Sequence, residues 1–111
     1  GAVPIVGAIL MALQSCGIGM NGFIVRKVEK EHGTKNKIEG ILHSGDHVVV
    51  IEDVTTTGES AMKVVKTVRE VGCIVDKIIS VVDRTEGAAI RFAQENISFE
   101  SILFIREILE V

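Results

Sequence analysis

The 111-residue chain is poor in the features that mark a metal cluster, a disulfide scaffold or a membrane anchor. It holds only two cysteines, Cys16 and Cys73, with no metal-like spacing and no histidine close by in sequence. Two buried, reduced thiols of a cytoplasmic protein are expected. No apolar run reaches membrane-spanning length. Residues 1–13 are apolar but lack a basic leading segment, so they are not read as a signal peptide. A surplus of positive charge is also missing. The formal net charge is −3, which argues against a nucleic-acid or anionic-membrane surface. There is no internal repeat, low-complexity tract or linker. What remains is 47% apolar and 24% charged, an ordinary soluble globular balance. The length suits a single domain, residues 1–111, with one core.

Apolar periodicity alternates between helix and strand, so an α/β fold with a parallel sheet is expected. Residues 3–15 are largely apolar, with Pro4 suited to a first helical turn, and predict a helix packed on the sheet. Residues 23–26 predict a strand, 37–42 a more exposed strand, and 47–52 the central strand. The spacing of Ala61, Val64, Val65, Val68 and Val71 predicts a helix over 60–71, closed by Gly72. Residues 77–83 predict a strand, 87–95 a helix, and 101–104 a last strand followed by a helical turn to about residue 109.

The most informative stretch is VVVIEDVTTTGES, residues 48–60. Four apolar residues, 48–51, predict a short buried strand of the parallel-sheet kind. Glu52 and Asp53 follow at its end, then Val54, a Thr55-Thr56-Thr57-Gly58 loop, Glu59, and a helix beginning near Ser60. Ligands of open α/β sheets bind beyond the carboxyl ends of the strands. A helix N-terminus after a Gly-containing loop offers unpaired N–H groups and a positive dipole end to a phosphate. Hydroxyls from Thr55, Thr56, Thr57 and Ser60 can add hydrogen bonds. The acid pair suits vicinal sugar hydroxyls or a metal. A sugar grip beside a phosphate grip points to a ribose 5-phosphate ligand. The bland alternative is a βα loop with a Ser/Thr cap, which needs neither paired acids nor three threonines.

The second informative stretch is FIVRKVEKEHGTKNKIEG, residues 23–40. Arg26 and Lys27 sit at the end of a short apolar strand. Lys30, His32, Lys35 and Lys37 follow in a run with one apolar residue in ten over residues 28–37. Cation-dense and without apolar periodicity, residues 28–37 are expected to form a mobile surface loop.

The residues Val49-Val50-Ile51-Glu52-Asp53-Val54-Thr55-Thr56-Thr57-Gly58-Glu59-Ser60 resemble the phosphoribosyl pyrophosphate loop of the type I phosphoribosyltransferases. Glu59 stands where that family often has a small residue, and it is expected to point outward. Arg26, Lys27, Lys30, His32 and Gly33 are similar to the Arg-Lys-x-x-Lys-x-His-Gly catalytic loop of the orotate phosphoribosyltransferases. Ile38-Glu39-Gly40 resembles the strand after that loop. Val81-Val82-Asp83-Arg84, followed by Glu86-Gly87-Ala88, resembles the family's base-binding strand end. The resemblance runs from Gly1 to the 105–109 segment in the family's order. Gly1-Ala2-Val3-Pro4-Ile5 looks like the turn after the family's first core strand. The N-terminal hood and that strand have no counterpart here, so a fragment of a longer enzyme is expected rather than a truncated paralogue.

The resemblance implies transfer of phosphoribosyl from phosphoribosyl pyrophosphate to orotate, forming orotidine 5-monophosphate and pyrophosphate in de novo pyrimidine biosynthesis. It implies that Lys30, His32 and Asp53 are catalytic. Arg26, Lys27, Lys30, His32, Glu52, Asp53 and residues 54–60 would bind phosphoribosyl pyrophosphate, and Thr56 and Arg84 would bind orotate. Mg2+ is implied as cofactor, held mainly through pyrophosphate and ribose oxygens rather than by direct protein ligands. A homodimer with the loop shared across its interface is implied, with no nucleic-acid or membrane partner. Three other readings stand beside it: a phosphoribosyl pyrophosphate-binding regulator, an inactive paralogue, and a phosphoribosyltransferase for another base.

Overall fold

A computed structural model describes residues 1–31 and 33–105, apart from the side chains of residues 29, 30 and 34. The elements in chain order are α1 (Val3–Ser15), β1 (Phe23–Lys30), β2 (Gly33–Gly40), β3 (His47–Thr55), α2 (Glu59–Val71), β4 (Ile74–Asp83), α3 (Ala88–Gln94) and β5 (Ser98–Phe104). Strands β3, β4 and β5 form a parallel sheet in the order β3-β4-β5, and β1 and β2 form an antiparallel hairpin. Each parallel step is joined by a helix, as parallel strands require. Residues 106–109, the rest of the expected C-terminal turn, lie outside the described residues.

The core is one cluster. Val48 and Val50 of β3 and Val75 and Ile78 of β4 meet Ala61, Val65 and Val68 of α2, with Ala88 and Phe92 of α3. Phe92 and Phe99 pack edge to face with ring centroids 5.0 Å apart. Helix α2 follows its pattern: Ala61, Val65 and Val68 of its apolar stripe are buried, Val64 is partly buried and Val71 is exposed, and Gly72 closes it in the left-handed conformation (φ 101°). Phe23 and Val25 of β1 rest against the same cluster, which sets the hairpin beside α2.

Several expectations are corrected. Strand β3 lies at the sheet edge among the described residues and β4 is central, because strand order depends on long-range pairing that local patterns do not carry. The apolar run 48–51 is not buried on both faces. Val48 and Val50 are buried whereas Val49 is 47% exposed, since α2 and α3 feed one core cluster while α1, which meets β3, buries none of its own residues. Helix α1 buries none of its residues, and its Leu10 and Val6 lie over Gly22. Cys16 is exposed for the same reason, and Cys73 alone is buried.

Residues 28–37 are also more regular than expected. Phe23 pairs with Gly40 and the ladder continues without a break to Lys30 and Gly33. Pairing satisfies backbone groups that an irregular segment would leave to water. Gly33, at φ 119°, takes a reversal that a side chain would strain. The strand pattern was hidden because the described side chains in the outer half of this hairpin are not buried.

Candidate functional site

The carboxyl ends of β3 and β4 lie side by side, with Thr55 opposite Asp83. Two loops leave this end of the sheet: residues 56–58 before α2, and residues 84–87 before α3. They are tied together beneath. The Arg84 amide donates to the Thr55 carbonyl at 2.9 Å. Thr55 Oγ1 donates to Ser80 Oγ at 2.9 Å, and Ser80 Oγ donates to the Val82 carbonyl at 2.8 Å. Thr55, Ser80 and Asp83 are all buried, so this short polar network is enclosed and fully engaged. The predicted ligand hydroxyl of Thr55 is therefore spent on the sheet.

The 56–58 loop ends in Gly58, which precedes α2 in the left-handed conformation (φ 86°). No side chain caps the helix; the Thr57 hydroxyl accepts only a long 3.4 Å bond from the Glu59 amide. The first-turn amides of α2 are therefore open to an anion. Thr56, Thr57, Glu59 and Ser60 line a cleft of about 390 Å³. The far wall comes from the hairpin, through Val25, Lys27 and Asn36. The hairpin is held there by Asn36 Nδ2, which donates to Thr67 Oγ1 of α2 at 2.8 Å. The cleft thus faces a helix N-terminus with a lysine opposite.

Glu52 and Asp53 lie in the last part of β3, both half-buried. Burial pushes the Glu52 carboxyl above its ordinary range, and the neighbouring Asp53 charge adds to the rise; the Gly1 amino group pulls it down by a smaller amount. Asp53 Oδ1 accepts from the Val54 amide at 2.8 Å. Gly1 packs so closely on Asp53 that a β-carbon there would collide with the carboxylate. Two crowded, partly desolvated acids make a place that favours a cation or hydroxyl donors.

Among the predicted residues, Lys27, Thr56, Thr57, Glu59 and Ser60 come together in one cleft. Arg26 does not join them. It sits on the other face of β1 from Lys27 and pairs with Glu39 at 3.0 Å across the hairpin. Val54 is 46% exposed. Arg84 is exposed at the same end of the sheet and makes no ion pair among the described residues, although Asp83 and Glu86 adjoin it. The turn that carries it is anchored: the Thr85 amide donates to Asp83 Oδ1 at 2.9 Å, and Thr85 has a positive φ of 56°, a strained setting common at functional sites. His32 and the Lys30 side chain lie outside the described residues. Reading the sequence missed Lys63, which lines the cleft and pairs with Glu59 at 3.6 Å. Its i,i+4 spacing from Glu59 was the available signal.

A larger groove of about 610 Å³ runs over the outer faces of α2 and α3. It carries no glycine loop, and its Arg69 is already engaged by Glu95.

Comparison with known proteins bears on this site. No family model matches the chain. A curated orotate phosphoribosyltransferase of Methanocaldococcus jannaschii is 48% identical over 108 residues, covering 97% of this chain and 58% of the relative. The orotate phosphoribosyltransferase of Bradyrhizobium sp. (strain ORS 278) is 47% identical over 113 residues, covering 98% of this chain and 61% of the relative. The chain therefore spans about three fifths of the length of the curated relatives it matches. Among solved structures, Mycobacterium tuberculosis orotate phosphoribosyltransferase in complex with 5-phospho-α-D-ribosyl 1-diphosphate superposes with a TM-score of 0.75 at 35% identity. That match covers 93% of this chain and 56% of the other.

Proposed function

Because the chain belongs to the orotate phosphoribosyltransferase family, we infer that it carries the phosphoribosyl pyrophosphate-binding core of an enzyme that transfers phosphoribosyl to orotate. The products are orotidine 5-monophosphate and pyrophosphate, and the role is in de novo pyrimidine biosynthesis. The observation that carries this reading is the cleft between the uncapped N-terminus of α2 and Lys27 of the hairpin, with the Glu52–Asp53 pair on the preceding strand.

Each residue has a part in this reading. The amides and hydroxyls of Thr56, Thr57 and Ser60, with Gly58, grip the 5-phosphate. Glu52 and Asp53 accept from the ribose hydroxyls and lie near the anomeric carbon, which becomes oxocarbenium-like as pyrophosphate departs. Their negative charge is worth more in a partly desolvated setting. Lys27, with Lys30 and His32, offsets the charge that builds on the leaving pyrophosphate, while Arg26, paired with Glu39 on the other face of β1, stands apart from this cleft. His32 can pass a proton to a pyrophosphate oxygen, as an imidazole suits. Arg84, together with Thr56, holds orotate, whose carboxylate and carbonyl oxygens suit a guanidinium.

Magnesium fits as a partner of the substrate. Among the described residues no group of three or more His, Cys, Asp or Glu could hold a metal, while the Glu52 and Asp53 carboxylates are hard oxygen donors close to where ribose hydroxyls would lie. Bound through pyrophosphate and ribose oxygens, Mg2+ would supply charge neutralisation of the leaving group. Residues 1–111 form one partial core domain in this reading. The protein is cytoplasmic and homodimeric, and the hairpin tip serves the neighbouring subunit's site.

Calorimetry tests the proposal: phosphoribosyl pyrophosphate with magnesium should bind, and orotate should bind after it. Heat from the first titrant with none from orotate would leave only a phosphoribosyl pyrophosphate-binding protein. Absence of both would overturn the assignment.

A further inference from the structure

We propose that Lys63 is a positioning residue for the phosphate grip. It holds the Glu59 carboxylate aside and cancels its charge, so that an acid can stand in a loop meant for an anion. The inference rests on the phosphoribosyl reading above. Glu59 opens α2 and lines the same cleft as Thr56, Thr57 and Ser60. A carboxylate in the first turn favours the helix, but in that cleft it would repel a 5-phosphate. Lys63 lies one turn further along α2, and its Nζ is 3.6 Å from Glu59 Oε1. Among the described residues this is the one ion pair whose two members both line the cleft.

The pair is not a stability device. Its side chains are 56% and 67% exposed, and exposed pairs of this kind contribute little to folding. Its consequence is local: the edge of the phosphate site becomes neutral, and the positive ends that remain are the helix amides and Lys27. Lys63 thus acts through Glu59 and not by gripping the phosphate.

The experiment is a double-mutant cycle on the full chain, with ribose 5-phosphate binding measured by calorimetry at low and high salt. Lys63→Ala should weaken binding by about threefold to fivefold at low ionic strength, with the loss shrinking as salt screens the exposed charge. In a Glu59→Gln background the same Lys63→Ala change should cost less than about twofold, because no carboxylate is left to neutralise. Lys63→Arg should bind like the wild type. An equal loss with and without Glu59 would overturn the inference, since Lys63 would then act on the ligand itself or on the fold. Unchanged affinity in Lys63→Ala would overturn it too, leaving the phosphoribosyl reading intact. A wild-type chain that fails to bind ribose 5-phosphate would overturn both.

Discussion

Gly58 lies against the ring of Phe92: a β-carbon at Gly58 would stand 2.9 Å from both Cε1 and Cζ of that ring, and 3.3 Å from Ala88 Cβ. The residue that ends the 56–58 loop is thereby pinned to the centre of the core, because Phe92 is fully buried. The site and the fold share this contact, so the loop's shape is inherited from the packing of α3.

Substitution at Gly58 should therefore act first on stability. Gly58→Ala meets both a positive φ and a buried ring, and about 2–4 kcal/mol of destabilisation is expected. Chemical denaturation checks this; a midpoint within error of wild type would show that the loop can move away from Phe92. Loss of phosphate affinity in such a variant is interpretable only at temperatures where it stays folded.

Glu52 should cost stability at neutral pH. Its carboxyl is raised on folding above the ordinary value of 4.5. Below that value it is protonated in both states. As pH rises, the unfolded chain loses this proton before the folded one, so stability falls across the window and stays lower above it. Glu52→Gln should thus melt higher than wild type at pH 7, with the gain gone near roughly pH 3. Equal melting at both pH values would show that burial and Asp53 do not burden this carboxyl.

Arg84 should matter to the base and little to the fold. Its amide bond to Thr55 survives any side-chain change, and its guanidinium has no ion pair to lose among the described residues. Arg84→Ala should leave the melting temperature within about 2 °C while weakening orotate binding at least about tenfold. Unchanged orotate affinity would remove Arg84 from the site.

The hairpin should tighten when an anion arrives. Its outer half is held to α2 by the exposed Asn36–Thr67 bond, which makes low-energy opening expected. Hydrogen exchange over β1 and β2 should be faster than over β4 and should slow with pyrophosphate and magnesium. If the tip serves a neighbouring subunit, mixing Lys30→Ala with Asp53→Asn protein should restore turnover that neither has alone. No restoration after confirmed subunit exchange would confine the hairpin to its own chain.

The hydroxyl- and glycine-rich βα loop after the acid pair was legible in residues 48–60, because the strand, the glycine and the helix start lie within a few positions. Helix α2 was legible because its apolar stripe and its closing glycine are local features. Glu59, expected to point outward because it would repel a phosphate, is 67% exposed beside Lys63 yet also lines the cleft. The hairpin was legible at residues 23–26 and 37–40 but not between them, since exposed strands need no apolar alternation. Nor could spacing alone reveal that Arg26 turns away to Glu39 while Lys27 turns into the cleft; that choice follows from which face of β1 meets the core.

What the sequence by itself determined is the chemistry on offer: two acids, a hydroxyl-rich glycine loop and a cation-dense segment, each set by side chains that are close in the chain. Which of these meet was decided only by tertiary structure. Pairing of Thr55 with Asp83 puts the two loops at one sheet end. Docking of Phe23 and Val25 on the core lays Lys27 across from Ser60. Burial of Thr55 removes a hydroxyl that the motif had seemed to offer. Each is a contact between residues well apart along the chain. Such contacts form because burying apolar surface rewards one arrangement of the whole, an energy that no local window contains.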